Sequence, residues 1–276
     1  MTIDISVLAR QIAPQNTVLV LGAGASIPSG APSGKELAKD LEAKFKVGEG
    51  LGLSLSDIAT LIERRVNRRE LIEFICNKVE NITPSGGILS IPLLDWAAIF
   101  TTNYDTLVEK AFKKSGVSLS VYSSNYDFSK SSNSNSQSLY KFHGTAGKDD
   151  SLGFKERMVI TGPDYDKVED FRTILYKRLA EYMHSKSVII IGNSLEDPDL
   201  RKIVDDAVSA KSNEGAPGKI FLLVYNKNDD LAEIYESRGI IVCFGGIDDF
   251  FHSVLKEAPS GHGVLPISPD RSASLI

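Results

Sequence analysis

Residues 17–26 read Thr-Val-Leu-Val-Leu-Gly-Ala-Gly-Ala-Ser, from Thr17 to Ser26. A short, continuous apolar run of this kind suits a strand covered on both faces, and the glycines that end it mark a tight turn into a helix. Working outward, similar runs recur at 97–101, 139–142, 187–191, 219–224 and 240–244. Between them the apolar spacing predicts helices over 34–45, 104–115, 167–184, 198–210, 229–237 and 247–257. Acidic residues from Asp164 to Asp170 suit the start of the 167–184 helix, where the dipole favours negative charge. Asp197 followed by Pro198 forms an N-cap and N1 pair. Strands alternating with helices imply an α/β fold: a doubly wound, Rossmann-like, mostly parallel sheet.

Three stretches depart from this rhythm. Residues 51–90 carry apolar positions at 58, 61, 62, 66, 71, 72, 75 and 79, a helical pattern with no preceding strand. They are read as a helical insertion packed on the sheet, with Glu63 to Glu70 (ERRVNRRE) as its solvated face. Residues 123–138 are rich in Ser and Asn and predict a flexible surface loop. Residues 258–276, rich in Pro, Ser and Gly, read as a flexible tail or linker after a single domain over 1–257.

Composition narrows the function. The chain has 276 residues, with 31 Lys+Arg against 36 Asp+Glu and a net charge of −5. There is no basic excess to match nucleic-acid phosphates, so direct nucleic-acid binding is disfavoured. No apolar run approaches the ~20 residues that span a bilayer, and the first residues lack the basic-then-apolar pattern of a signal peptide. The expected compartment is the cytoplasm, with Cys76 and Cys243 as free thiols. Two cysteines cannot build a four-cysteine zinc site.

The chemistry-bearing residues gather where strands end. Gly22, Ala23, Gly24 and Ser26 form a turn whose amides suit an anion, although a ligand-free turn explains them equally. Ile27 stands where the dehydrogenase fingerprint needs a third glycine, and no acid-ending strand follows. Gly30 to Gly34 has one spacer too few for a phosphate-binding P-loop, and Glu36 replaces its Ser or Thr. Thr101 to Asp105 (TTNYD) places Asn103 and Asp105 at a strand end, where helix capping is the plainer reading. Lys141 to Gly144 (KFHG) places His143, a residue type fit for a general base, at another strand end. His184, His252 and His262 read as structural. Gly192 to Leu200 (GNSLEDPDL) repeats the small polar turn below a helix, and Asn226 ends a further strand. Five such groups on one sheet edge imply one crevice for an extended, phosphate-bearing ligand.

This ordered set resembles the sirtuin superfamily over about residues 15–250. GAGAS with Ser29 to Pro32 resembles its first glycine motif, TTNYD its Thr-Gln-Asn-Ile-Asp motif, and KFHG the strand bearing its catalytic histidine. GNSLEDP resembles the Gly-Thr-Ser segment, and Asn226 the ribose-contacting asparagine. Two features depart. Residues 145–186 contain no cysteine where deacylating members carry a zinc ribbon, and Ser33 to Lys35 replace the family's Asp-Phe-Arg. The combination is similar to the zinc-free sirtuin-like domains of bacterial anti-phage defence, which hydrolyse NAD+.

The resemblance implies NAD+ as substrate, no metal, and release of nicotinamide with formation of ADP-ribose. It assigns Asn103 to the water and nicotinamide ribose, Asp105 to the carboxamide, and His143 to the ribose hydroxyls as general base. Gly22, Ala23, Gly24, Ser26, Pro32 and Thr102 would hold the dinucleotide. Gly192, Asn193 and Ser194 would face its adenosine half, with Asn226 on that ribose. No basic residue is placed for a 2′-phosphate, which favours NAD+ over NADP+. The resemblance further implies restraint by a homo-oligomer or a sensor partner, such as an ATPase, an Argonaute-type protein or a fused sensor domain. The insertion at 51–90 and the loop at 123–138 are the expected places for control. A deacylase or ADP-ribosyltransferase of the same fold, and a non-catalytic NAD+ or ADP-ribose-binding module, are the alternatives.

Overall fold

The computed structural model describes residues 1–129, 136–149, 156–213 and 215–257. The chain begins with β1 (Thr2–Ile3), α1 (Ile5–Gln11), β2 (Thr17–Leu21) and α2 (Gly34–Phe45). The insertion supplies α3 (Leu55–Arg65), α4 (Arg68–Val79) and the short α5 (Gly87–Ser90). Then come β3 (Ala98–Thr101), α6 (Leu107–Ser115), β4 (Leu119–Tyr122) and β5 (Gln137–Lys141). The last part carries α7 (Gly162–Tyr165), α8 (Val168–Ser185), β6 (Ser187–Ile191), α9 (Pro198–Asn213), β7 (Ile220–Val224), α10 (Asp229–Ser237), β8 (Ile241–Phe244) and α11 (Ile247–Glu257).

The eight strands form one sheet in the order β1-β8-β7-β6-β2-β3-β5-β4, and every pairing is parallel. The α/β alternation therefore matches the doubly wound expectation. Alternate residues of each strand feed opposite faces. Leu19 and Leu21 pack with α1, α5, α6 and α11, whereas Val18 and Val20 pack with α8, α9 and α10. The helical insertion forms a third apolar cluster, in which Leu41, Ile62 and Ile75 meet Ala146, Met158 and Ile160.

The differences from the sequence reading have physical causes. The helix expected from 104 begins at Leu107, after Thr106 as N-cap, and the Asp105 carboxylate before it accepts from the Leu107 amide. The helical run of the insertion breaks at Val66 and Asn67, where the Asn67 side chain accepts from the Glu70 amide and starts α4 afresh. The face at 63–70 is not wholly solvated. Arg68 is about nine-tenths buried and bridges Asp149 and Asp164, at 2.7 and 3.0 Å. Part of the expected loop is ordered: Asn125–Ser129 form a 3-10 turn held by Asp127, and Gln137 and Ser138 belong to β5. Its residues 130–135 and the expected tail at 258–276 lie outside the described residues.

Candidate functional site

Register brings the motifs together. Leu21 pairs with both Thr101 and Ile191, Thr101 pairs with Lys141, and Ile191 pairs with Leu223. These residues form one row at the carboxyl ends of β7, β6, β2, β3 and β5. The chain leaves β2 toward β3 and later returns on the other side as β6, so the order reverses beside β2. A crevice opens at such a reversal, outside the carboxyl ends of the strands.

Two glycine turns abut at that point. The Gly22 amide donates to the Ile191 carbonyl at 2.9 Å, and the Gly24 amide to the Gly192 carbonyl at 2.8 Å. A Cβ on Gly22 would lie 2.5 Å from the Gly192 oxygen, and one on Gly192 2.1 Å from the Ala25 nitrogen. Gly192 also has φ +66°, a left-handed conformation that a side chain disfavours. The amides of Gly22, Gly24, Ala25 and Ser26 all donate to backbone carbonyls. Ala23 occupies the first position of the 3-10 turn at Ala23–Ala25, where an amide has no partner within the helix.

Asn103 is fixed by its amide group. Its Nδ2 donates to the Gly22 carbonyl and to Ser26 Oγ, both at 3.0 Å, and its own backbone N–H donates to Thr101 Oγ1. Nδ2 thus faces the glycine turn, and the buried Oδ1 finds no partner among the described residues. A buried acceptor left open is rare in a folded protein. Ser26 Oγ donates onward to Asp105 Oδ2 at 2.8 Å, while Asp105 Oδ1 takes the Leu107 amide. Both Asp105 oxygens therefore have a partner. The fully buried Lys141 secures the same loop: its Nζ donates to the Asp105 carbonyl and pairs with Glu109 at 2.9 Å.

His143 sits at the end of β5, buried, with Nε2 2.8 Å from Asp197 Oδ2. The other Asp197 oxygen accepts from the Asp199 and Leu200 amides and caps α9. Burial alone would push the Asp197 carboxyl up, but the His143 hydrogen bond and charge hold it below the usual carboxylate range. The rings of Tyr104 and Tyr165 flank the imidazole, with centroids 6.2 and 5.4 Å away. Burial and the nearby acids push both phenols up, so they stay neutral at ordinary pH. Thr145 Oγ1 and Tyr176 Oη, like Asn103 Oδ1, are buried without a partner among the described residues.

The remaining positions are less concentrated. Asn193 Oδ1 accepts from the Leu195 amide, and its Nδ2 is 3.4 Å from Thr102 Oγ1. Ser194 is exposed, and its carbonyl accepts from Tyr235 Oη. Pro32 is half-buried before Ser33, whose side chain caps α2 in a reciprocal pair with Glu36. Asn226 lies past the end of β7 and is exposed. A cleft of about 620 Å3 separates α6 from the insertion, lined by Asp105, Thr106, Lys110 and Ala146 together with the segment 80–84. His184 and His252 are exposed on α8 and α11, and His262 lies outside the described residues.

The sequence reading missed Asp197 as the partner of His143, Lys141 as a buried tie and the two flanking tyrosines. Asp197 carried one signal, its position before Pro198 as a cap. Nothing in the spacing linked it to a histidine 54 residues away.

The sequence matches the model of the SIR2-like domain family over residues 97–243. It is 27% identical over 205 residues to the NAD(+) hydrolase ThsA of Acinetobacter baumannii, covering 71% of this chain and 40% of that protein. It is 28% identical over 199 residues to the NAD(+) hydrolase ThsA of Enterococcus faecium, covering 69% and 40%. The chain thus spans about two fifths of the length of these relatives. A Sir2 crystal structure bound to the inhibitor EX-527, 2′-O-acetyl-ADP-ribose and a deacetylated p53 peptide matches with a TM-score of 0.49 and 15% identity, covering 87% of this chain and 93% of that one.

Proposed function

Since the chain belongs to the SIR2-like domain family, we propose that it is an NAD+ glycohydrolase, with residues 1–257 as the catalytic unit. The observation that carries the reading is Asn103, whose amide is committed to Gly22 and Ser26 while its buried carbonyl oxygen stays open. An open acceptor at a strand end suits a hydroxyl or a water. Relatives named NAD(+) hydrolase support NAD+ as the substrate.

The reaction consumes NAD+ and water and gives nicotinamide, ADP-ribose and a proton. The bond from ribose C1′ to nicotinamide breaks, and its electron pair leaves with the ring, which departs neutral. The protein has no need to protonate the leaving group. It holds the ribose, orients the carboxamide and admits one water.

Asn103 Oδ1 accepts from the water or a ribose hydroxyl. His143 takes the proton as general base, a role worth roughly 10²–10⁴-fold. Asp105 uses its remaining lone pairs for the carboxamide, beside the cleft it lines. Gly22, Ala23, Gly24 and Ser26 let the pyrophosphate approach, with the Ala23 amide as a donor. Pro32 and Thr102 border that seat. Gly192, Asn193, Ser194 and Asn226 serve the adenosine half. The chain works in the cytoplasm as an effector that depletes NAD+ in anti-phage defence, restrained by self-association or by a sensor partner.

Chromatography of nicotinamide released from NAD+ tests this reading. Purified chain should release it. Asn103→Ala and His143→Ala should each lose at least about a hundredfold per folded molecule, assayed below each variant's melting temperature, which His143→Ala lowers by leaving Asp197 buried without its partner. Release that survives both substitutions would sink the assignment.

A further inference from the structure

His143 and Asp197 belong to segments that follow β5 and β6, which β2 and β3 separate in the sheet. Their 2.8 Å contact therefore ties together two segments that leave the sheet on either side of β2 and β3. Both side chains are more than nine-tenths buried, so solvent screens the pair little. Asp197 is ionised at neutral pH, because its carboxyl is held low. An ionised carboxylate only accepts hydrogen bonds. His143 Nε2 must then carry a hydrogen, which leaves the lone pair of the neutral ring on Nδ1. The carboxylate is in turn immobilised by the Asp199 and Leu200 amides at the start of α9. A base held by an acid that is itself held is the arrangement general-base catalysis uses to fix a tautomer and a ring orientation.

We infer that Asp197 is a positioning residue for His143: it holds the imidazole with Nε2 protonated and Nδ1 free to take the proton that the attacking hydroxyl or water gives up. This rests on the NAD+ glycohydrolase reading for the identity of that proton. When His143 takes it, the imidazolium forms against a carboxylate already in place, and the proton then passes to solvent. Asp197 does not touch substrate. Its second duty, capping α9, ties the orientation of the base to the helix that follows the Gly192–Ser194 turn.

The test separates capping from positioning. Serine is as good an N-cap as aspartate, so Asp197→Ser keeps the helix start and removes the carboxylate. Asp197→Asn keeps both the shape and the cap. In the full chain, both variants should lower kcat for nicotinamide release at least about tenfold, a part of what the base supplies. KM for NAD+ should stay within about twofold in each. In ¹⁵N spectra of histidine-labelled protein, with His143→Gln giving the assignment, the parent should show the Nε2–H tautomer. The two variants should show a mixture.

An unchanged kcat in Asp197→Ser would overturn the inference. So would a rise in kcat, which would make the contact a restraint on the base, or a loss carried mainly by KM. A parent that shows the Nδ1–H tautomer would overturn it whatever the rates are. If the parent chain releases no nicotinamide, the glycohydrolase reading fails on its own, and the spectra still decide whether Asp197 sets the tautomer.

Discussion

Two sets of polar residues, one around the segments that follow β3 and β5 and one joining the insertion to the chain after His143, are paired to different degrees. On one side Asn103, Thr145 and Tyr176 each keep a buried polar atom without a partner among the described residues, as Thr161 Oγ1 and Arg172 Nε do at the border of the other. On the other, Arg68, Asp149, Asp164, Arg157 and Glu63 are knit into a network. Asp164 alone accepts from Arg68, Arg157 and the Ile160 and Thr161 amides. Asp149 accepts two bonds from Arg68 and one from the Met158 amide. The first set leaves polar atoms unpaired. The second joins α3 and α4 of the insertion to the segment after His143, in the stretch where deacylating sirtuins carry a zinc ribbon. Charge pairing fastens that stretch, which holds no cysteine between 145 and 186.

The sharpest way to break this contrast is Arg68→Met. It leaves Asp149 without its guanidinium and Asp164 with one cation fewer. Removing one partner of a buried pair costs about 3–5 kcal/mol. For a chain of this size the melting temperature should fall on the order of 10 °C. Nicotinamide release per folded molecule should persist at low temperature. A variant that keeps its melting temperature but loses release would place the network in the site instead.

Acid should separate the clusters next. Burial raises the Asp164 carboxyl, but hydrogen bonding to Arg157 and the Arg68 charge outweigh it, and the net shift is downward. Asp197 is also lowered, by His143 against its burial. A folded value below the unfolded one means stabilisation that is present above the unfolded pKa of about 4 and lost as pH falls through the folded value. Melting temperature should therefore drop as pH falls from 5 toward 2. The drop should be smaller in Arg68→Met, where part of the linkage is already gone. Equal slopes in the two proteins would remove Asp164 from the account.

The smallest effect belongs to the exposed neighbour pair. Arg69 and Glu73 form a surface bridge at 2.8 Å, one helical turn apart. Surface pairs contribute little, so Arg69→Ala should leave the melting temperature unchanged within error. A shift approaching that of Arg68→Met would erase the distinction between a buried cation and its exposed neighbour.

Much of the fold was legible because strands covered on both faces read as unbroken apolar runs. TVLVL and SVIII need no context to be recognised. β4 escaped because Leu119–Tyr122 lies at the sheet edge and is only partly buried, so its composition does not stand out. Asn103 and His143 were visible as polar residues at strand ends, but not the partners that give them direction. Asp197 and Arg68 have unremarkable local patterns, a cap and a charged run. What each does depends on chain that lies 54 and 81 or more residues away. Local periodicity carries no information at that range.

The strand order also bears on how the chain is made. β2 lies at the middle of the sheet, yet its neighbour β6 follows about 170 residues later. At a synthesis rate of roughly 5–20 residues per second, β2 waits on the order of ten to thirty seconds with one flank unpaired. Non-local parallel pairing is intrinsically slow as well. Nascent chains of this protein therefore pass through a stage with an open apolar flank, and a chaperone that shields it during translation should raise the yield of native molecules.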